Sequence, residues 1–197
     1  MCNCELNFDN ATFSKQADYD EKSVRQAFSK AVPLKTLVIY CYDPRAVGIP
    51  KAVARELNQT YPGEIVYSPE GHKVASTTNI FDVVVAGGRA NDAQRSITVA
   101  QHLFGIENIV VVHHTHCGAT SFTADGIIEA FKEEQGNDIS QLYPKSSVAI
   151  SDYVESVKHD VKLLRDSNGT PKNVKILGYV YDIDTEALVK ITESLPV

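Results

Sequence analysis

Four short, largely apolar runs rich in β-branched residues, spaced by segments of helical pattern, limit this fold more than any other feature. They are residues 34–40 (Leu-Lys-Thr-Leu-Val-Ile-Tyr), 81–86 (Phe-Asp-Val-Val-Val-Ala), 108–113 and 174–181. Each reads as a buried strand of a parallel sheet, where both faces are covered and polar alternation fades. Parallel neighbours need crossover connections, and residues 20–31, 49–57, 91–104, 122–134 and 146–166 carry helical periodicity suited to them. The expectation is an α/β fold: a mostly parallel central sheet flanked by helices. With 197 residues and 43% hydrophobic content the chain can bury one substantial core. Residues 1–18 are polar and rich in Asn and read as an N-terminal arm, with residues 19–197 as a single domain.

Finer signals refine this outline. Pro50 suits the first turn of the 49–57 helix. Asn91 or Asp92 is available to cap the 91–104 helix, and Gly105 to stop it. Residues 64–67 read as a short strand, 68–79 as a long loop, and 187–191 as an edge strand.

A formal charge of -6 without a basic run argues against a nucleic-acid surface or an anionic membrane as partner. No apolar stretch approaches the roughly 20 residues that span a bilayer. Residues 1–7 have neither the basic start nor the apolar run of a secretory signal. A cytoplasmic protein is expected, with its four cysteines as thiols or ligands rather than disulfides.

The special residues sit at strand ends. Cys41, Gly87-Gly88 and His114 with Cys117 each follow a strand, and open α/β sheets bind ligands beyond the carboxyl ends of their strands. Two thiolates and one imidazole hold Zn²⁺ tetrahedrally and leave the fourth position for water, the arrangement of a catalytic site. Soft donors also select Zn²⁺ over Mg²⁺ or Ca²⁺. Asp43 and Arg45 follow the first thiol and admit three readings. They form a surface ion pair that contributes little, or Arg45 grips Asp43 as a hydrogen-bond acceptor beside the metal, or Asp43 itself ligates zinc and closes the site. Two thiolates also neutralise the cation. Its pull on bound water should be weaker than in the site whose water has a pKa of about 7, so activity should lean alkaline.

Gly87-Gly88-Arg89 before a helix either holds an anion on backbone N–H groups or lets the backbone pass close to the metal. No Gly-Lys-Ser/Thr follows, so a nucleotide P-loop is not expected. His113 should face away from His114. His116 lies in a loop where its ring could carry protons. His72, His102 and His159 read as surface residues, and Cys2 and Cys4 as thiols of the arm. A thiol redox protein is disfavoured because Cys41 and Cys117 lack Cys-x-x-Cys spacing.

These motifs resemble the β-class carbonic anhydrases, whose zinc site uses Cys-x-Asp-x-Arg and His-x-x-Cys. The matching residues here are Cys41-Tyr42-Asp43-Pro44-Arg45 and His114-Thr115-His116-Cys117. Ala86-Gly87-Gly88, Asp92-Ala93-Gln94-Arg95-Ser96 and Gly178-Tyr179-Val180-Tyr181-Asp182 are similar to further segments of that family. His113 to Gly118 is similar to the His-His-Thr-Asp-Cys-Gly form of its short-chain branch, which includes carbonyl sulfide and carbon disulfide hydrolases. The resemblance covers residues 35–190. It implies Cys41, His114 and Cys117 as zinc ligands, Asp43 with Arg45 as the catalytic dyad, and hydration of CO₂ by zinc hydroxide. It also implies a homodimer or dimer of dimers with exchanged N-terminal helices. Carbonyl sulfide hydrolysis on the same site is the alternative, and a non-catalytic zinc protein closed by Asp43 a second one. Val84-Val85 stand where the family often has Arg-Asn, and Tyr42 and Pro44 are unusual beside the dyad. These changes should make the vicinity more apolar and stiffer.

Overall fold

The computed structural model describes residues 8–197 and contains the expected α/β layers. In chain order the elements are α1 (Glu21–Ala31), β1 (Thr36–Cys41), α2 (Ile49–Leu57), β2 (Ile65–Tyr67), β3 (Lys73–Ser76), β4 (Ile80–Val85) and α3 (Gln94–Phe104). There follow β5 (Asn108–His114), α4 (Ala124–Gln135), α5 (Lys145–Val148), α6 (Tyr153–Asp166), β6 (Lys175–Tyr181) and β7 (Leu188–Ser194). The main sheet has the order β4-β1-β5-β6-β7. Its first four strands run parallel and β7 returns antiparallel along β6.

Alternation along the central strands builds two cores. Leu37, Ile39, Ile109, Val111 and Ile176 face α3 and α6, meeting Ile97, Ala100, Val161 and Leu164. Val38, Tyr40, Val110, Val112 and Leu177 face α2, meeting Ile49, Ala52 and Val53. Each fully buried aliphatic side chain contributes about 1.5–3 kcal/mol, which fixes strand register before any polar group is placed. Helix α6 lies close on β6 because Gly178 leaves room. A Cβ there would stand 2.5 Å from Val157 Cγ1.

The helix ends follow local chemistry. Asp20 caps α1 by accepting the Ser23 N–H, Pro50 opens α2, and Gly105 stops α3 with a φ of 64°.

Several expectations need correction. Residues 81–86 do not form a strand buried on both faces. Among the described residues β4 is an edge strand paired only with β1, and Val84 is 47% exposed. An apolar run does not record how many neighbours a strand has. The 68–79 loop contains β3, which pairs antiparallel with β2 around a turn at Ser68–Gly71. The helix expected over 91–104 starts with a 3-10 turn at Ala90–Ala93, and α3 has no side-chain cap at Ala93. Neither Asn91 nor Asp92 serves as that cap. The single helix expected over 146–166 is two, α5 and α6, with Asp152 capping the second through the Glu155 N–H. Asp152-x-x-Glu155 is a capping signature that marks this restart.

Residues 8–18 include one exposed 3-10 turn, Phe13–Lys15, and Phe13 packs edge-on against Phe28 of α1. Cys2 and Cys4 lie outside the described residues. Among the described residues no helix is long and apolar enough to cross a membrane.

Candidate metal centre

Three adjacent strands, β4, β1 and β5, end on the same edge of the sheet. Cys41 is the last residue of β1 and His114 the last of β5, while Cys117 follows after a short turn. All three are buried, and their donor atoms lie within 4.8 Å of one another. The Sγ atoms of Cys41 and Cys117 are 3.8 Å apart as free thiols. Two sulfurs each about 2.3 Å from a tetrahedral zinc would be separated by about 3.8 Å.

His114 is prepared for the same role. Its Nδ1 lies 2.8 Å from the Thr115 carbonyl oxygen, which can only accept, so Nδ1 carries the proton and Nε2 the lone pair. Nε2 is buried and has no hydrogen-bond partner among the described residues. Burial lowers the pKa of this imidazole and keeps it neutral. Burial also pushes the Cys117 thiol up to about 11, with nearby Cys41 adding to the shift and the Ala119 backbone N–H opposing it. A divalent cation between the sulfurs would offset that cost and displace the proton. The donor set therefore fits zinc.

Asp43 lies outside the three-donor group, held by Arg45. Arg45 Nε donates to Oδ1 at 3.0 Å, Nη2 to Oδ2 at 2.7 Å, and the Arg45 backbone N–H to Oδ1 at 2.9 Å. Arg45 Nη2 also donates to the His116 carbonyl at 2.9 Å, tying the β1 loop to the β5 loop. The hydrogen bonds from Arg45 side chain and backbone hold the Asp43 carboxyl well below the usual carboxylate range. The Asp43 N–H in turn points to Cys41 Sγ at 3.4 Å.

A cavity of about 760 Å³ opens beside these groups. Its lining comes from the β1 exit (Tyr42, Asp43, Pro44), the β4 exit (Ala86, Gly87, Asp92) and the later segments that carry Phe122, Ile127, Tyr143, Ser147 and Val148. Among the described residues its only charged lining groups are the two carboxylates, Asp43 and Asp92. Gly87 reaches this cavity, whereas Gly88 sits behind it. Gly88 has a φ of 69°, and a Cβ there would fall 2.7 Å from the Val112 carbonyl and 3.2 Å from the Cys41 nitrogen. Its smallness lets the β4 exit pass against β1 and β5.

A second polar cluster escaped the sequence reading. Arg89, directly after the glycines, donates to Asp160 of α6 through Nε at 3.0 Å and Nη2 at 2.9 Å. Asp160 Oδ2 also accepts the Ala90 N–H at 3.0 Å and lies 3.3 Å from His113 Nε2. Burial raises the Asp160 carboxyl, but hydrogen bonds from His113 and Arg89 outweigh it and hold the group well below its ordinary range. The signal was present: Val157, Asp160, Val161 and Leu164 share one helical stripe, and a charge in a core stripe demands a partner.

The remaining histidines stand where expected. His113 is buried on the face away from His114. His116 is exposed, 4.0 Å from Asp184, and His102 is exposed and pairs with Glu21. His72 is exposed, and His159 is exposed beside Asp160.

No family model matches the chain. A β-carbonic anhydrase 1 of Mycobacterium tuberculosis is 30% identical over 103 residues, covering 52% of this chain and 60% of that protein. A carbon disulfide hydrolase of Acidithiobacillus thiooxidans is 30% identical over 116 residues, covering 51% of this chain and 58% of that one. The chain thus spans less than two thirds of the length of these curated relatives. Among solved structures, a carbonic anhydrase from Streptococcus mutans superposes with a TM-score of 0.60 at 27% identity, covering 80% of this chain and 81% of that one. In sequence and in fold, the chain resembles the β-class carbonic anhydrases and the carbon disulfide hydrolases.

Proposed function

We propose that the chain is a zinc-dependent enzyme that hydrates CO₂ to bicarbonate and a proton, with Cys41, His114 and Cys117 as metal ligands. The observation that carries this reading is the partnerless, buried Nε2 of His114, grouped with two buried sulfurs beside a carboxylate already clamped as an acceptor. Zn²⁺ bound there supplies a Lewis acid that makes water a nucleophile near neutral pH. Asp43 accepts a hydrogen bond from the attacking water and turns its lone pair toward the substrate carbon. Held well below the carboxylate range, Asp43 orients that water without retaining its proton, which passes to solvent. Gly87 provides backbone at the cavity floor for the product, with Gly88 fixing its position. Phe122, Ile127 and Val148 suit a neutral linear molecule, and the carboxylates of Asp43 and Asp92 favour release of an anionic product.

Carbonyl sulfide hydrolysis is the second reading, favoured by the apolar wall and the similarity to a carbon disulfide hydrolase. Carbonyl sulfide differs from CO₂ by one larger atom, a difference that an apolar pocket resolves by only about 1–3 kcal/mol. The deciding experiment follows proton release from CO₂ and sulfide release from carbonyl sulfide on zinc-quantified protein. Turnover of neither, or turnover indifferent to chelator, overturns the proposal. Because Cys41 and Cys117 enter as thiolates, kcat/KM should rise toward alkaline pH, and a profile flat down to about pH 6 counts against that charge argument. The exposed edge strand β4 supports a homodimer or dimer of dimers, and thiol ligands suit a reducing cytoplasmic setting.

A further inference from the structure

We propose that Arg89 is a positioning residue for substrate selection: it pins the cavity wall formed by residues 146–149 to the sheet that carries the metal ligands. The inference rests on the function proposed above. Arg89 does not line the cavity, so it acts through the wall. Its Nη1 donates to the Ala149 carbonyl at 2.8 Å and its Nη2 to the Ser146 carbonyl at 2.8 Å. Between those carbonyls stand Ser147 and Val148, both on the cavity surface.

Between its ends this wall has no buried side chain of its own. α5 has only four residues and none is buried, and an isolated turn of helix has no stability of its own. Beyond the Arg89 bonds, α5 touches α4 and joins it by an exposed ion pair from Lys145 to Asp125. At its far end the Ile150 N–H donates to the Ala119 carbonyl and the Ile150 side chain is buried against Cys41 and Cys117. Arg89 holds the stretch between these two ends. Asp160 supplies the anchor on the other side. Its carboxylate takes the remaining edge of the guanidinium, and α6 packs on β5 and β6. One side chain therefore references the wall to the strand that ends in His114. Through Ser147 and Val148 this wall selects among CO₂, carbonyl sulfide and carbon disulfide by contact with atoms of different size, so a wall that yields loses that selection.

Arg89→Lys keeps a positive charge beside Asp160, but one ammonium cannot span Asp160 and both carbonyls. The neutral pair Arg89→Gln/Asp160→Asn serves if the single variant does not fold. On zinc-loaded protein, amide exchange over residues 145–150 should quicken roughly tenfold while β5 amides keep their protection. The ratio of kcat/KM for carbon disulfide over CO₂ should rise about fivefold, carried by KM rather than kcat. The visible spectrum of the cobalt-substituted protein should not move, because the ligands are untouched. An unchanged substrate ratio, or exchange that quickens equally in β5, would reduce Arg89 to a general stabiliser and overturn the proposal. Wild-type protein that turns over none of these substrates sinks the proposed function and the selection role together. Exchange over 145–150 then decides the pinning by itself.

Discussion

Arg45 grips Asp43 and Arg89 grips Asp160 through the same two parallel N–H···O contacts, yet the pairs occupy opposite surroundings. The Arg45 and Asp43 side chains are 54% and 14% exposed, and those of Arg89 and Asp160 only 3% and 1%. At the cavity the guanidinium faces water, so the pair adds little stability and leaves a carboxylate fixed in direction. Behind the cavity, a desolvated pair plus two backbone carbonyls joins three parts of the chain, and each partner depends on the other. Under the proposed function, the same recognition geometry serves reaction at one place and architecture at the other, and burial decides which.

Removing one arginine from each pair is the strongest way to break this comparison. Arg89→Met strands a buried carboxylate and should cost about 3–5 kcal/mol. At about 2–4 °C per kcal/mol, the melting temperature should fall by roughly 10 °C. Arg45→Met should shift it by no more than about 4 °C, because exposed pairs contribute about 0–1 kcal/mol. Calorimetry of the zinc-loaded proteins checks both, and equal shifts would dissolve the distinction.

Activity should separate the pairs in the other direction. Asp43→Ala should lower kcat/KM for CO₂ about a hundredfold, the scale on which losing the orientation of an attacking group acts. Zinc content should stay at one per chain, since Asp43 stands outside the donor group. Zinc loss in step with activity would instead mean that Asp43 ligates the metal.

The two pairs also mark what could be read in advance. Asp43 and Arg45 sit two residues apart, beside a thiol, so local spacing announced them. Cys41, His114 and Cys117 were legible for a related reason: each closes a strand whose apolar run is conspicuous, and parallel strands deliver their ends to one edge. Asp160 and Arg89 are 71 residues apart, and only the packing of α6 against the β4 exit brings them together. The charge of Asp160 within the Val157–Leu164 stripe said that a partner existed without saying which. The edge position of β4 was hidden likewise, since Val83-Val84-Val85 would look the same with a second neighbour. Local pattern specified the elements and the candidate donor group, and long-range packing specified what holds them.

Acid titration sharpens the contrast at smaller amplitude. Both carboxyls are depressed in the folded chain, so each contributes stability above the ordinary value of 3.8 that is lost as pH falls below it. Solvent screens that contribution for Asp43, whereas Asp160 is buried. Urea unfolding of metal-stripped protein from about pH 4.5 to 2.5 should show wild type losing stability more steeply than Asp160→Asn. Asp43→Asn should follow the wild-type slope. Protonation of His114 enters all three proteins alike and cancels in the differences.

The smallest effect tests whether Arg45 is needed as a charge or as a fork. Arg45→Lys keeps the cation near Asp43 but cannot make the paired Nε and Nη2 contacts, nor hold the His116 carbonyl at the same time. Stability should stay within about 1 kcal/mol of wild type, because an exposed ammonium replaces an exposed guanidinium. kcat should fall a few-fold with KM little changed, since a carboxylate free to rotate still accepts the proton of water but no longer fixes the direction of its lone pair. Wild-type kcat in this variant would show that charge alone suffices at the cavity. The planar grip would then matter only at Arg89, where a single guanidinium must meet a carboxylate and two carbonyls at once.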